Sequence, residues 1–141
     1  MLFAIIGESC VGKSTLAEKI AKQLCAEVYT GRDFLRLAKS EAIAKRLFQN
    51  KLSDAVTGTN LIYVISEKEH LSLLPDGAVR ILMTADLTLI QERFAKRMGG
   101  TLPPPVKLML ERKHGIFDTI EKDYHIHNGA DPDWISDLLT K

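Results

Sequence analysis

The sequence has few of the features that mark secreted, membrane-spanning or polyanion-binding proteins. Its 141 residues include only two cysteines, Cys10 and Cys25, which are too few for a disulfide framework. A formal net charge of +1 argues against a basic surface for polymeric nucleic acid or for a membrane. The apolar run at residues 2–6 is far too short to cross a bilayer and has no basic leader. We therefore expect a cytoplasmic protein.

The most informative motif lies near the N-terminus, where residues 7–15 read GESCVGKST. This matches the phosphate-binding pattern G-x-x-x-x-G-K-[ST], whose glycines let backbone N–H groups point at phosphate oxygens. Lys13 can reach the β- and γ-phosphates, and the Ser14 hydroxyl can ligate Mg²⁺. An apolar strand precedes the loop and an amphipathic helix follows it, as the motif requires. The residues expected to bind the donor phosphates are Gly7, Glu8, Ser9, Cys10, Val11, Gly12, Lys13, Ser14 and Thr15.

Five short apolar or β-branched runs alternate with helical patterns, which predicts a parallel sheet with helices on both faces. The expected strands are residues 2–6, 27–30, 61–66, 79–84 and 124–128. The expected helices are about 13–25, 33–48, 67–74, 87–98, 106–114 and 116–121, with a final helix from Asp131. In such a three-layer α/β/α fold, ligands lie beyond the carboxyl ends of the strands. One domain spans residues 1–141, since this length suits a single core.

A phosphate loop predicts nucleotide binding but leaves the reaction open. The chain has no Asn-Lys-x-Asp base-reading motif and no Asp-x-x-Gly switch, which argues against a GTPase. It also has none of the extra subdomains expected of a large ATP-driven machine. The remaining reading is phosphoryl transfer to a small acceptor, and two further segments favour it.

The first segment follows the second expected strand, where residues 29–36 read YTGRDFLR. It resembles the Thr-Gly-x-x-Leu-Arg or Ser-Gly-x-x-Phe-Arg segment of nucleoside monophosphate kinases, with one extra residue between Gly31 and Arg36. The resemblance implies that Arg36 clamps the acceptor phosphate, a role that suits a guanidinium fork. It also implies that Thr30, Gly31 and Asp33 contact the acceptor, within an acceptor-binding segment of about residues 30–59.

The second segment comprises residues 81–86 (ILMTAD) and 92–97 (ERFAKR). It resembles the strand, Leu-x-Ala, helix and Glu-Arg-x-x-x-Arg sequence of cytidylate kinases, whose helix leads into a lid. The resemblance implies that Arg93 and Arg97, which share one helix face, close over the triphosphate together with Arg112. The lid would span about residues 97–112. By the same likeness, Gly129 would border the adenine after a last strand that reads YHIHN.

The chain departs from this family at the third strand, LIYVIS, which contains no acidic residue. Relatives usually carry an acid or a Gly-Arg segment there, which orients Mg²⁺ and binds the acceptor. Glu67, Glu69 and Asp33 are the carboxylates available for that role. Shikimate-kinase-like enzymes have an Asp at roughly the position of Asp33, which makes this residue a candidate general base for an alcohol acceptor.

These motifs favour one hypothesis and leave two alternatives open. We expect a P-loop kinase that transfers the γ-phosphoryl group of ATP, with Mg²⁺, to a small acceptor, first of all CMP or another nucleoside monophosphate. The alternatives are a kinase of a small alcohol, of the shikimate or gluconate kinase type, and a nucleotide-binding module without catalysis. We expect a monomer or homodimer with no nucleic-acid or membrane partner. The residues expected to act in catalysis are Lys13, Asp33, Arg93, Arg97 and Arg112.

Overall fold

Apolar strands form the centre of the fold, which a computed structural model describes for residues 1–128. The first strand is completely buried because five consecutive apolar residues precede Gly7, and strands covered on both faces read as continuous apolar runs. Five strands pair in parallel in the order β2-β3-β1-β4-β5. They are β1 (Leu2–Gly7), β2 (Glu27–Thr30), β3 (Leu61–Ile65), β4 (Val79–Thr84) and β5 (Tyr124–His127).

Alternate residues of β1 contribute to two separate cores, because successive side chains of a strand point to opposite faces. Phe3 and Ile5 pack with Leu16 and Ile20 on one face. Leu2, Ala4 and Ile6 pack on the other face with Phe48 and Leu52. Helices therefore cover the sheet on both sides, which confirms the predicted three-layer α/β/α fold and its five-stranded parallel sheet. Within residues 1–128 the α-helices are α1 (Lys13–Leu24), α2 (Glu41–Thr57), α3 (Leu87–Arg97) and α4 (Pro104–Lys113).

The predicted helix over residues 33–48 is wrong, since this stretch contains two elements. A short 3-10 helix covers Asp33–Leu37, and the chain becomes extended at Ala38. Ser40 then caps α2 by accepting a hydrogen bond from the backbone N–H of Ile43 at 3.5 Å. The spacing of apolar residues does not indicate this break, because Phe34 and Phe48 pack together although they belong to different elements. Their ring centroids are 5.2 Å apart.

Three smaller expectations also change. Residues 53–56, where the sequence alone indicates a separate turn before Gly58, belong to the last turns of α2. Residues 116–121 form turns rather than a helix and follow Gly115, whose φ is 83°. The crossover after β3 is a 3-10 helix, Lys68–Leu73. The predicted final helix and Gly129 lie outside the described residues. Across residues 1–128, no helix combines the length and the apolar character needed to cross a membrane.

The close approach of β1 and β4 at Gly7 leads to a stability prediction. A Cβ atom at Gly7 would overlap the backbone oxygen of Met83 and would lie 2.8 Å from Val11 Cγ2. Because backbone cannot move aside as a side chain can, we expect Gly7→Ala to lower the free energy of unfolding by about 3 kcal/mol. Urea denaturation followed by circular dichroism measures this change.

Gly99→Ala provides the comparison. A Cβ at Gly99 meets nothing within 4 Å, so the φ of 90° is the main cost, about 1 kcal/mol. Equal losses in the two variants would contradict the steric explanation.

Candidate active site

The phosphate loop begins at the buried end of β1 and ends where α1 starts at Lys13. Gly12 has a φ of 99°, in the left-handed region that glycine adopts without steric cost. Cys10 also has a positive φ, 65°, which is uncommon for a residue with a side chain. The loop therefore turns sharply twice, and the N-terminus of α1 lies at the carboxyl end of the central strand β1. Such a helix end favours anions.

Two long-range contacts hold the loop in this shape. Glu8 is only 8% exposed, and its carboxylate accepts hydrogen bonds from His114 Nδ1 at 3.1 Å and from the Gly115 N–H at 3.0 Å. On the other flank, Arg93 donates to the backbone oxygen of Cys10 at 2.9 Å. The first contact ties the loop to the end of α4 and the second ties it to α3. Arg93, which the sequence predicted to close over a triphosphate, thus binds the loop itself.

Lys13 lies inside the loop and is 7% exposed. Its ammonium donates a hydrogen bond to the backbone oxygen of Glu8. Burial lowers the pKa of Lys13 to about 8, partly opposed by the negative charges near it, and the Arg97 guanidinium lowers it further. A buried lysine with a second cation near it creates a strong local attraction for an anion.

A cleft of about 150 Å³, here called the phosphate cleft, opens beside Lys13. Arg97 lines it together with the hydroxyl-bearing residues Ser9, Ser14, Thr15, Thr30 and Ser66. Hydroxyl oxygens are hard donors that suit Mg²⁺, an ion that keeps several waters and takes further ligands from phosphates. Ser14, exposed in the first turn of α1, therefore fits its predicted role as a Mg²⁺ ligand. None of the residues that line this cleft is a carboxylate.

A second cleft, of about 330 Å³ and here called the α3 cleft, lies against the opposite flank of the loop. Its walls combine apolar and basic side chains, among them Met83, Arg93, Arg97 and Ile126. Arg97 lines both clefts. The mixture suits a flat heterocyclic base that continues into a charged polyphosphate. Gly129, expected beside the base, falls beyond the described residues.

A third cleft, of about 140 Å³, lies between α2 and the two 3-10 helices and is here called the His70 cleft. The two clefts have lining residues that are close in sequence, since Thr30 lines the phosphate cleft and Arg32 lines the His70 cleft. Arg32 pairs with Glu41 at 2.9 Å. The residues that line the His70 cleft are Arg32, Phe34, Glu41, Lys45, Glu69, His70 and Leu73.

Asp33 lies on the segment that contributes Thr30 to the phosphate cleft and Phe34 to the His70 cleft, and Asp33 itself lines neither. Its Oδ2 accepts a hydrogen bond from the Thr30 N–H at 2.9 Å. Tyr63, the central residue of β3, donates from its hydroxyl to the backbone oxygen of Gly31 at 2.8 Å. Burial raises the pKa of Tyr63, and the negative charges of Asp33 and Glu69 add to this effect. Both carboxylates therefore lie near Tyr63, while Glu67 instead pairs with Lys113 at 3.4 Å.

Two predicted arginines point elsewhere. Arg36 stacks over the Tyr29 ring, with 4.3 Å from its guanidinium carbon to the ring centroid, and lies 3.9 Å from Glu27. Arg112 is exposed near the end of α4. Neither residue lines any of the three clefts.

Sequence reasoning missed three side chains of the His70 cleft. Arg32 lies within the YTGRDFLR segment, but the family spacing directed attention to Arg36. Lys45 and His70 come from two further elements that the fold brings together. No local sequence pattern indicates that these two residues lie close together.

Comparison with known proteins shows the fold and leaves the family open. No protein-family model matches the chain, and no curated protein matches it. Among solved structures, a shikimate kinase from Acinetobacter baumannii in complex with shikimate aligns with a TM-score of 0.62 at 14% identity, over 99% of this chain and 88% of that one. A sugar kinase from Janibacter sp. HTCC2649 gives 0.59 at 16% identity, over 99% and 92%.

A gluconokinase from Sinorhizobium meliloti 1021 gives 0.58 at 11% identity, over 98% of this chain and 86% of that one. These similarities show the three-layer α/β/α P-loop fold that the sequence predicted. At such low identity they carry no more than the fold.

The lowered pKa of Lys13 leads to a pH prediction. An anion binds better to the ammonium form, and above pH 8 less of the free protein has this form. Going from pH 7 to pH 9 reduces the protonated fraction about tenfold for a pKa of about 8, so the apparent affinity for an ATP analogue should fall about tenfold. Calorimetric titration with a non-hydrolysable ATP analogue measures it. The variant Lys13→Met should bind weakly at both pH values, and a flat profile in the parent protein would contradict the prediction.

Proposed function

We propose that the protein is an ATP-dependent kinase that phosphorylates a hydroxyl group of a small molecule. The observation that supports the proposal is that one five-residue segment contributes to two clefts, Thr30 to the phosphate cleft and Phe34 to the His70 cleft. One cleft presents Lys13, Arg97 and a helix N-terminus for a polyphosphate. The other offers room for a second, smaller molecule. In the proposed reaction the phosphoryl donor and its acceptor meet near Asp33, which lies on that segment.

The donor is held by charge and by oriented amides. Lys13 and the loop N–H groups bind the β- and γ-phosphates, and Arg97 contacts the phosphoryl group as it moves. Ser14 would hold Mg²⁺, and the hydroxyl-bearing residues Thr30 and Ser66 line the same cleft. Bound Mg²⁺ neutralises negative charge on the donor phosphates.

Asp33 is the proposed general base. One carboxylate oxygen is held by the Thr30 N–H, which leaves the other oxygen for the acceptor hydroxyl. The hydroxyl oxygen forms a bond to the γ-phosphorus while the bond between that phosphorus and the bridging oxygen breaks. The electron pair of the broken bond leaves with ADP. The proton of the hydroxyl moves to Asp33 and then to solvent.

A small alcohol suits this arrangement better than the nucleoside monophosphate first expected. The His70 cleft, of about 140 Å³, is smaller than the ~300–1,000 Å³ of pockets that enclose drug-sized ligands. Arg36, the expected clamp for an acceptor phosphate, stacks on Tyr29 instead. The solved structures with this fold include a sugar kinase, a gluconokinase and a shikimate kinase, whose names all refer to small alcohols.

Replacement of Lys13 tests the reaction class. ADP formation from ATP is measured by a coupled assay across a panel of sugars, sugar alcohols, hydroxy acids and nucleoside monophosphates. Lys13→Ala should lower acceptor-dependent turnover by about 100-fold or more, because a charge that stabilises the transferring phosphoryl group is lost. Lys22→Ala, in the last turn of α1, serves as control and should leave turnover unchanged. If ATP binds tightly and no acceptor in the panel is phosphorylated, the protein is a nucleotide-binding module instead.

Replacement of Asp33 tests the general base. Asn keeps an oxygen that can accept from the Thr30 N–H, but it does not take up a proton. Asp33→Asn should therefore reduce kcat by about 100-fold while the KM for ATP changes little. The exposed Asp54 of α2 provides the matched control, Asp54→Asn. A kcat within a factor of two of the parent value would remove Asp33 from the mechanism.

A further inference from the structure

We propose that the His70 cleft binds the acceptor as an uncharged polyhydroxylated compound, a sugar or sugar alcohol, and that the imidazole of His70 makes a hydrogen bond to one of its hydroxyls. The inference rests on the proposed kinase function and names the class of its acceptor. Three observations carry it: an unpartnered buried imidazole, the balance of charge around it, and the small volume of the cleft.

His70 is 7% exposed, and its Nδ1 has no hydrogen-bond partner within residues 1–128. Buried polar atoms nearly always have partners, because leaving one unpaired costs free energy. The ring is fixed in place, since it meets Phe34 edge-on and lies against Tyr63 with centroids 6.4 Å apart. Its Nε2 lies 3.6 Å from Glu69. Because His70 lines the cleft, a ligand hydroxyl, which can both donate and accept, can pair with the imidazole in either tautomer.

The charged side chains around the cleft cancel one another. Arg32 and Lys45 are basic, and Glu41 and Glu69 are acidic. The Arg32 guanidinium is already engaged by Glu41 at 2.9 Å. A phosphate or carboxylate group in so small a space would face two carboxylates, and that repulsion would offset the attraction of the cations.

Uncharged hydroxyl groups match this set of side chains. Each hydroxyl donates one hydrogen bond and accepts others, so one compound can donate to Glu41 and Glu69 and accept from Arg32 and Lys45. Bonds between hydroxyls and charged side chains are stronger than those between neutral groups. Leu73 and Phe34 supply an apolar wall for the carbon skeleton. A compact polyol can therefore make hydrogen bonds to more of the side chains that line the cleft than an anion of the same size can.

The first test compares two sets of acceptors in the coupled assay with ATP. The uncharged set is erythritol, xylitol, ribose and glucose, and the anionic set is gluconate, shikimate and CMP. We expect at least one uncharged compound to raise ADP formation above the rate with ATP alone and the anionic compounds to give no increase. Activity with an anionic compound in the absence of activity with any uncharged one would overturn the inference and leave the kinase proposal standing. No activity with either set would overturn both.

The second test uses the best uncharged acceptor from the first and changes His70. His70→Phe keeps an aromatic ring beside Phe34 and Tyr63 but removes the nitrogen atoms. We expect KM for the acceptor to rise about five- to tenfold, as loss of one hydrogen bond implies, with the ATP affinity unchanged. His70→Gln, which retains a hydrogen-bonding group, should recover part of the loss. A parent-like KM in both variants would remove His70 from acceptor recognition.

Charge is tested with a matched pair of variants on α2. Lys45 lines the cleft, and its exposed neighbour Arg46 does not. Lys45→Ala should raise KM for the acceptor, and Arg46→Ala should leave it within a factor of two. Thermal unfolding of each variant separates a loss of recognition from a loss of structure. Equal effects of the two substitutions would contradict the assigned role of the cleft.

Discussion

The burial of one positive and one negative side chain within the same loop is the constraint on which the rest of the site depends. Removing a charged group from water costs free energy unless other groups compensate, and Lys13 and Glu8 are both almost fully buried. Glu8 compensates Lys13 through its backbone oxygen and its nearby negative charge. His114 and Gly115 in turn donate to the Glu8 carboxylate. The loop thus holds its shape only while the end of α4 stays in contact with it.

The two arginines of α3 make different contacts in this arrangement. Arg93 is bound to the Cys10 carbonyl, so it fixes the loop and the helix relative to each other. Arg97, one turn further, lines both the phosphate cleft and the α3 cleft and lowers the pKa of Lys13 through its charge. Lys13 and Arg97 repel each other in the free protein, and a bound polyphosphate would reduce that repulsion. The site is therefore organised for its ligand before the ligand binds.

The strands and the phosphate loop were predictable because their signals are local. Each strand lies within one residue of its predicted limits, since apolar runs between turns define them. The break before α2 was missed because Phe34 and Phe48 keep helical spacing while packing from two elements. Arg36 was chosen from a family spacing, whereas its actual neighbours, Tyr29 and Glu27, come from the edge strand. The His70 cleft joins the first 3-10 helix and the start of α2 to the second 3-10 helix, Lys68–Leu73, which comes later in the chain, so only the fold reveals it.

The clefts differ in charge, and that difference has a consequence for phosphoryl transfer. The charged side chains that line the phosphate cleft, Lys13 and Arg97, are both cations, whereas those of the His70 cleft balance. The phosphate cleft therefore attracts a polyanion more strongly than the His70 cleft does. The balanced charges of the His70 cleft favour an uncharged compound. Donor and acceptor would then occupy different clefts without competing for one. Asp33 lies on the segment that contributes Thr30 to one cleft and Phe34 to the other, so the proposed reaction has its proton acceptor on the chain segment that both clefts share.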